Sequence, residues 1–266
     1  LLDDGIKPVY WVETRAGRRI RITASHPLLS QHGWRPLEQL QIGDFIAAPS
    51  IIPVFGDTEI PDAEIDLLAR QVRATGSVPA VAFTLSAERL GLLLRSVLGR
   101  ELTKVGRSVR CADWKSAADL AHLMQRVGVC STRRADGDGV RVTIANAIDT
   151  LPKEVWDDVI KAKGERLWAS INAAAGKPVS HNWHVYRRSP RRETVALLAQ
   201  VLDDDRLRWW SSPAVTWDRI TEITPAGKDR VIDFTVPNLH NFVAADLFVH
   251  NTAIGLGIAT NVAKNT

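Results

Sequence analysis

Cysteine is nearly absent from this chain of 266 residues, which has only Cys111 and Cys130. Two cysteines provide no disulfide framework and match no metal-ligand spacing, so we expect a protein of the reducing cytosol. Long apolar runs are also absent, and the first residues lack the charged-then-apolar pattern of a secretory signal. The sequence therefore predicts neither a membrane-spanning protein nor a disulfide-stabilised secreted domain.

The composition is that of a folded protein with an uneven distribution of charge. Hydrophobic residues make up 45% of the chain, which is enough for the core of one large or two modest domains. The net charge is +4, but Ile60–Trp210 holds 24 Lys and Arg against 18 Asp and Glu, whereas the remainder holds 10 against 12. The positive excess in the middle of the chain predicts a basic module inserted into a more neutral one.

The first fifty residues have the pattern of β-strands. Val9–Thr14 is rich in β-formers, and Arg19–Thr23 alternates polar and apolar residues, with Arg15–Arg18 as a turn between them. This pattern predicts a hairpin. Two further short elements are expected at 34–37 and at 42–46, and this β part is expected to end at Pro49.

The end of the chain has the same β pattern, whereas the middle has helical periodicity. Thr216–Ile223 and Arg230–Val236, separated by Pro-Ala-Gly, are predicted to form a second hairpin. Apolar residues recur at helical spacing in four segments, namely Asp62–Ala74, Ala87–Leu98, Ala117–Val127 and Glu193–Leu202. We therefore expect a β module that is split by a helical, basic insertion.

The tripeptide His250-Asn251-Thr252 holds the groups that are needed for peptide-bond cleavage at an asparagine. The side-chain amide of Asn251 can attack its own carbonyl, which closes a succinimide and cuts the next bond. His250 can supply a proton or a hydrogen bond, and the Thr252 hydroxyl can accept an acyl group. In isolation, such a tripeptide is more often an ordinary polar turn.

The surrounding sequence resembles the two C-terminal conserved blocks of inteins, the self-splicing protein insertions. The stretch RVIDFTVPNLHNFVAADLFVHNT matches them in register at Asp233, His240, Asn241, Phe242, His250, Asn251 and Thr252. This resemblance implies autocatalytic protein splicing by Asn251 cyclisation, with His250, His240 and Asp233 as catalytic residues. It also implies a mostly β, horseshoe-like Hint splicing domain that needs no cofactor and no metal.

An upstream block supports the same resemblance. Thr23-Ala24-Ser25-His26 is similar to the Thr-x-x-His block that acts on the upstream splice bond in inteins. There His26 is expected to destabilise the scissile amide, while Thr23 holds the carbonyl side. Leu1 cannot serve as the first nucleophile, and Asp233 stands where some inteins have a cysteine. We therefore expect the opening block upstream of Leu1 or on a separate chain, and cleavage at Asn251 without it.

The inserted module resembles a degenerate LAGLIDADG homing endonuclease with an α+β fold. Leu68–Gly76 and Leu94–Glu101 resemble the two copies of that motif, with Thr75 and Glu101 at the acidic, metal-binding positions. Because each helix must supply a carboxylate to hold divalent metal ions, the neutral Thr75 predicts a remnant that has lost DNA cleavage. Plain amphipathic core helices are the alternative. The arginine-rich runs at 186–192 and 206–210 are either residual DNA contacts or a solvated face.

The residues after Asn251 resemble the helix that follows Gly-Lys in the P-loop of replicative DnaB-type helicases. This resemblance implies that residues 252–266 are a C-extein forming a helix and that the flanking exteins are a bacterial helicase. In the spliced host, Thr252 would bind Mg²⁺ beside ATP. A generic Ala/Gly helix is the alternative.

The expected domain organisation follows from these blocks. Residues 1–56 and 213–251 are predicted to be the two parts of the Hint splicing domain, and 57–212 the LAGLIDADG-like domain. Two other functions remain open. One is a homing endonuclease or DNA-binding remnant with vestigial splicing blocks, and the other is a hedgehog-type autoprocessing module, which would not need Asn251.

Overall fold

A computed structural model describes residues 2–145, 150–233, 241–250 and 253–255. The chain divides into two compact units, one made of residues 1–147 and 218–266 and the other of residues 148–217. None of the helices in the described residues is long and apolar enough to cross a membrane.

The first unit contains a sheet of nine strands within the described ranges, except that the first three residues of its strand β9, 215–217, belong to the second unit. The strands are β1 (Leu2–Thr14), β2 (Arg19–Ile22), β3 (Pro27–Ser30), β4 (Gly33–Pro36), β5 (Phe45–Pro49), β9 (Val215–Asp233), β10 (Asn241–Ala244), β11 (Leu247–His250) and β12 (Ala253–Gly255). Their order is β1-β2-β12-β9-β5-β3-β11-β10, with β4 on β3. A short 3-10 helix, Leu37–Gln39, follows β4. The mostly β character that the sequence predicts for this part is confirmed.

Alternating burial along these strands builds the core of the sheet. β2 and β3 each alternate half-buried and buried residues, as the period of two along a strand requires. The core joins residues from both ends of the chain, namely Val12, Ile20, Ile22, Leu28, Leu37, Ile46, Ala48, Ile220, Ala244, Leu247 and Val249. Burial of this apolar surface stabilises the closure of the N-terminal strands on the C-terminal strands.

The predicted hairpin at the N-terminus is confirmed, and the one near the C-terminus is wrong. β1 pairs with β2 with Glu13 opposite Arg19. The Pro-Ala-Gly sequence does not reverse the chain, because β9 runs unbroken and pairs with β1 on both sides of it. Tyr10 lies opposite Pro225 and Pro8 opposite Lys228, so an extra residue is accommodated as a β-bulge. Gly227, with a φ of 82°, allows this bend.

The three residues after the tripeptide also depart from the sequence prediction. Ala253–Gly255 was expected to begin a helix, but it forms β12 between β2 and β9, with Ile254 opposite both Ile22 and Ile232. The two neighbouring strands offer backbone hydrogen bonds on both sides, and this pairing outweighs the local preference for helix. The rest of the predicted helix, 256–266, lies outside the described residues.

The first unit also contains α1 (Asp62–Thr75), a 3-10 helix (Ala80–Phe83), α2 (Ala87–Leu98), α3 (Trp114–Arg126) and a sheet of β6 (Ser108–Cys111), β8 (Gly139–Ile144) and β7 (Ser131–Asp136), in that order. The predicted helices at 62–74, 87–98 and 117–127 are confirmed. Their apolar faces and the sheet share one core that includes Ala69, Leu94, Leu120 and Val142. Side-chain caps start α2 at Ser86 and α3 at Asp113.

The second unit is helical, with α4 (Val155–Lys163), α5 (Trp168–Ala174), α6 (Arg192–Leu202) and α7 (Asp205–Trp210). The helix predicted at 193–202 is therefore confirmed. Two large buried side chains, Trp156 and Trp210, lie in this unit. Their indole N–H groups donate to the Arg188 carbonyl at 2.8 Å and to the Asp158 carboxylate at 2.7 Å. These bonds satisfy the polar end of each buried ring.

Candidate active site

The connection between β2 and β3 carries Thr23 and His26. The backbone N–H of His26 donates to the Thr23 carbonyl at 3.2 Å, and the His26 carbonyl accepts from the N–H of Leu37 at 3.0 Å. Thr23 is buried, and His26 has an exposed fraction of 0%. The imidazole is thus fixed in the interior, which excludes the simpler interpretation of His26 as a surface residue at a strand end.

The hairpin of β10 and β11 carries His250 at its open end. Its four residue pairs run from Ala244 opposite Leu247 to Asn241 opposite His250. His250 is half-buried, and its ring packs nearly perpendicular to the Trp34 indole with 5.2 Å between centroids. Trp34, on β4, is a contact that the sequence did not reveal, since no local pattern links these two residues.

Strand pairing brings the segments around the tripeptide next to the Thr23–His26 connection. Val249 pairs with Leu28, so β11 ends beside the start of β3 and hence close to His26. On the other side of the tripeptide, Ile254 pairs with Ile22, which immediately precedes Thr23. Paired strands lie about 4.8 Å apart. The chain before residue 251 and the chain after residue 252 are therefore both held against the strands that flank Thr23 and His26.

Three of the predicted catalytic residues, Asn251, Thr252 and His240, lie outside the described residues. Asp233 is described through its main chain, which pairs with Ala253 on one side and with Leu2 on the other. Asp233 thus lies in the strand beside the first residue after Thr252. The structure brings Thr23, His26, His250 and the Asp233 backbone into one region, and the roles assigned to all these residues stay predictions.

The closed end of the β10–β11 hairpin reveals a polar cluster that the sequence did not predict. Asp246 has an exposed fraction of only 4%, yet it lies in a two-residue turn. Its carboxylate lies 2.8 Å from Nδ1 of His122 and accepts from the guanidinium of Arg133. Burial alone would raise the pKa of Asp246, but the charge of Arg133 and the hydrogen bond with His122 outweigh burial and hold that pKa below its usual range.

Thr75 and Glu101, the two predicted endonuclease positions, are exposed near the ends of α1 and α2. The Thr75 hydroxyl donates to the Gln71 carbonyl at 2.9 Å and accepts from the N–H of Ser77 at 3.1 Å. Thr75 thus satisfies backbone groups at its own helix end. Within the described parts of the chain, no group of three or more His, Cys, Asp or Glu side chains is arranged to hold a metal ion.

The two arginine-rich runs are partly engaged in contacts within the second unit. In the later run, Arg206 pairs with Asp158 at 2.6 Å, and Arg208 pairs with Asp203 and Asp205. In the earlier run, Arg187 and Arg188 are exposed. Neighbouring carboxylates therefore offset the charge of the later run. In the earlier run Arg191 pairs with Glu193 and Arg192 donates to the Ser212 and Val215 carbonyls, so the exposed charge is that of Arg187 and Arg188.

Curated relatives match this chain over most of its length. It is 22% identical over 380 residues to the Replicative DNA helicase DnaB of Nostoc sp., covering 93% of this chain and 43% of the relative. The Rhodothermus marinus protein of the same name is 22% identical over 384 residues, covering 93% and 40%. That of Synechocystis sp. is 28% identical over 200 residues, covering 66% and 22%. The chain thus spans less than half of these relatives.

Two solved structures are also similar. An Ssp DnaB mini-intein variant matches with 17% identity and a TM-score of 0.34, covering 95% of this chain and 64% of that one. A DnaB intein from Synechocystis sp. matches with 16% identity and a TM-score of 0.31, covering 94% and 64%.

The family comparison covers nearly all of the chain. The intein splicing domain family matches residues 2–251, a span that begins in β1 and ends at the residue predicted to cyclise. This span includes Thr23, His26 and His250, which the strand pairing gathers in one region. The chain therefore belongs to the intein splicing domain family, whose members carry out protein splicing.

Proposed function

We propose that this chain performs the C-terminal step of protein splicing by cyclisation of Asn251. The side-chain nitrogen of Asn251 attacks the carbonyl carbon of the same residue, so a C–N bond forms and closes a succinimide. The peptide bond to Thr252 breaks, and the leaving amine takes up a proton that His250 supplies or relays. His240 and Asp233 belong to the same proposed site through the family resemblance.

The other predicted residues act on the upstream bond in this proposal. His26 donates a hydrogen bond to the upstream scissile amide and Thr23 holds its carbonyl side, so that the bond is activated for acyl transfer. The Thr252 hydroxyl then loses its proton and accepts the acyl group as an ester, while the first residue of the splicing domain, to which the acyl group was bonded, is released as the leaving group. Once Asn251 has cyclised, the freed Thr252 amine displaces that ester and a new peptide bond forms.

One observation carries the proposal. The segments on both sides of residues 251 and 252 pair with the strands that flank the Thr23–His26 connection. Because the reacting groups of both splice bonds must meet, a splicing site needs this convergence of N-terminal and C-terminal elements. A polar turn without chemical function would not require it.

The test is the release of residues 252–266 from the purified chain, followed by intact-mass measurement. We expect fragments that correspond to 1–251 and 252–266, and Asn251→Ala should stop their formation. Asn265→Ala is the matched control, because Asn265 also precedes a threonine but follows a lysine. An intact mass that stays constant on prolonged incubation contradicts the proposal, as does continued cleavage in Asn251→Ala.

We further propose that the host is a bacterial cytoplasmic DnaB-type helicase. Support comes from the relatives named DnaB, which match 93% of this chain, and from the P-loop-like residues that begin at Thr252. The spliced host would use Thr252 to bind Mg²⁺ with ATP. Mass spectrometry of the ligated protein should find a peptide in which Gly-Lys precedes Thr252 directly, and a different junction peptide would contradict this host.

For the inserted module we propose a LAGLIDADG-like remnant that binds DNA weakly and does not cleave it. Contacts between Asp62 and Arg89 at the starts of α1 and α2, and between Arg73 and Ser96 near their ends, give the two helices the same direction. A glycine ends each of them, Gly76 and Gly99. Incubation of the chain with Mg²⁺ and DNA of the uninterrupted host site should give a weak mobility shift and no nicking. Nicking would contradict the loss of cleavage, and absence of any shift would contradict DNA binding.

A further inference from the structure

The turn that closes the β10–β11 hairpin is an unusual one. Ala245 and Asp246 both adopt positive φ angles, 50° and 61°, in a two-residue turn that asparagine and glycine normally occupy. Left-handed backbone is unfavourable at residues other than glycine, so it persists only where surrounding contacts hold it. The contacts of the Asp246 carboxylate are those described above, with His122 and Arg133.

The partners of Asp246 come from helix α3 and strand β7, not from the sheet that contains the hairpin. Nε2 of His122 accepts from the guanidinium of Arg126 at 3.2 Å. A guanidinium only donates hydrogen bonds, so the proton of a neutral His122 is on Nδ1 and is donated to Asp246. Arg126 in turn donates to the Phe83 carbonyl at 2.8 Å. The donor is therefore fixed in its tautomer and its orientation.

Arg133 is anchored equally firmly. Its backbone N–H donates to the Ala16 carbonyl at 2.9 Å, in the turn between β1 and β2. Its side chain is 4% exposed and forms an ion pair with Asp246. Arg133 therefore connects the turns of two hairpins of the sheet, one near each end of the chain, to strand β7.

The opposite, open end of the hairpin carries His250, the residue proposed to assist cleavage. His250 lies four residues after Asp246 along the hairpin, a distance of about 14 Å at about 3.4 Å per residue. A rotation of about 5° about the turn would move His250 by about 1 Å, and misplacement by 1 Å can slow a reaction by about 100-fold. The orientation of the hairpin at Asp246 is thus coupled to the position of His250.

We infer that Asp246, His122 and Arg133 form a positioning site for splicing, through which the inserted segment aligns His250 and the residue that follows it. This inference rests on the proposed cyclisation of Asn251. The three residues meet at the closed end of the hairpin, the end opposite His250. They hold the hairpin at this end, so that His250 remains beside the start of β3 and close to His26.

The test is the rate of release of 252–266 by the purified chain carrying Asp246→Gly. Glycine suits the left-handed turn better than aspartate, so the turn is retained and the anchor is lost. We expect release at least tenfold slower than in the wild type. The matched control is Asp119→Asn, a buried carboxylate on the same helix as His122 that pairs with Lys115 at 2.7 Å, and it should change the rate less than twofold.

Two measurements separate positioning from a general loss of stability. All rates are measured at a temperature where circular dichroism shows each variant to be folded. If Asp246→Gly alone does not fold, the double variant Asp246→Gly with Arg133→Gln replaces it, because the second change removes the buried charge that has lost its partner. The NMR signals of the His250 ring should shift in Asp246→Gly and remain unchanged in Asp119→Asn. A wild-type rate in folded Asp246→Gly overturns the inference, as do unchanged His250 signals. If the wild-type chain itself releases no peptide, the proposed function fails first and this inference fails with it.

Discussion

The Thr23–His26 connection and the C-terminal ends of α1 and α2 are both positions where family motifs predict reactive groups. In the first, both predicted side chains are buried and the backbone accepts hydrogen bonds from the N–H groups of Leu37 and Glu38, in the 3-10 helix after β4. In the second, Thr75 and Glu101 are exposed, and Thr75 bonds only to its own helix end. Reactive groups need a fixed, water-poor environment, so the comparison favours chemistry in the sheet and a scaffold role for the paired helices.

The largest effect is expected from substitution of His250. His250→Ala removes the group that is proposed to protonate the leaving amine, and such proton transfer contributes about 100-fold or more to a rate. We expect the release of 252–266 to slow by about that factor, as measured by mass spectrometry over time. His32→Ala is the control, because His32 is an exposed histidine of the same unit and should leave the rate unchanged. Equal rates in the two variants would remove His250 from the mechanism.

The same contrast between a buried and an exposed environment should appear in the stability of ion pairs. Loss of a buried pair should lower the free energy of unfolding more than loss of an exposed pair. Asp218 has an exposed fraction of 1% and accepts from Arg18 at 2.7 Å, from the Thr14 hydroxyl at 2.6 Å and from the N–H of Ala16 at 3.1 Å. Asp218→Asn leaves Arg18 buried without a full partner charge, which costs about 3–5 kcal/mol of unfolding free energy.

The comparison pair is Asp138 with Arg110, whose side chains are 94% and 49% exposed. An exposed pair contributes about 0–1 kcal/mol, so Asp138→Asn should change the unfolding free energy by less than that. Urea unfolding of both variants measures the difference. Equal losses would mean that the exposed pair between β6 and the β7–β8 turn is as strongly coupled as the buried pair of the sheet.

A smaller effect is expected at Gly17, where the β1–β2 turn meets β7. Gly17 has a φ of 77°, and a Cβ there would lie 2.2 Å from the Arg133 carbonyl oxygen. Gly5 has a similar φ of 79° with no atom within 4 Å of the same position. Gly17→Ala and Gly5→Ala share a backbone cost of about 1–3 kcal/mol, because both place alanine at a positive φ. The difference between the melting temperatures of the two variants therefore reports the steric contact at Gly17, and the loss should be larger for Gly17→Ala. A larger loss in Gly5→Ala would contradict the close approach of Gly17 to Arg133.

The sequence predicted local elements well where one pattern controlled them. The helix at Ala87–Leu98 has the predicted bounds, because apolar spacing, a Ser86 cap and a terminal glycine all agree. The segment at 225–227 was predicted wrongly, since Pro-Ala-Gly is a turn sequence that a bulge also accepts. Only the long partner strand β1, more than two hundred residues away in the sequence, decides between the two.

Prediction of the candidate site from sequence was limited in the same way, to features that are local in the chain. Thr23, His26 and His250 were identified through the family resemblance, which reflects chemistry that is local in sequence. Trp34 beside His250 and the His122–Asp246 pair were not, because each joins residues that are distant in the chain and ordinary in type. Such contacts depend on how the strands are ordered in the sheet, and periodicity does not contain that information.

The smallest effect concerns the packing around the two cysteines of the inserted module. It tests whether the part of the chain that supplies His122 and Arg133 has a rigid interior. Burial, followed by the charges of Asp113 and Asp119, raises the pKa of the Cys111 thiol to about 11, and burial also raises the pKa of Cys130. Because only the thiolate reacts with iodoacetamide, both cysteines should be alkylated slowly at pH 8 in the folded chain and rapidly in urea. Above pH 8 the rate at Cys111 should keep rising towards pH 11, since the thiolate fraction grows until the pH reaches the pKa. Rapid alkylation of Cys111 at pH 8, identified by peptide mass, would mean that the interior opens readily and that this part of the chain is a poor anchor for the β10–β11 hairpin.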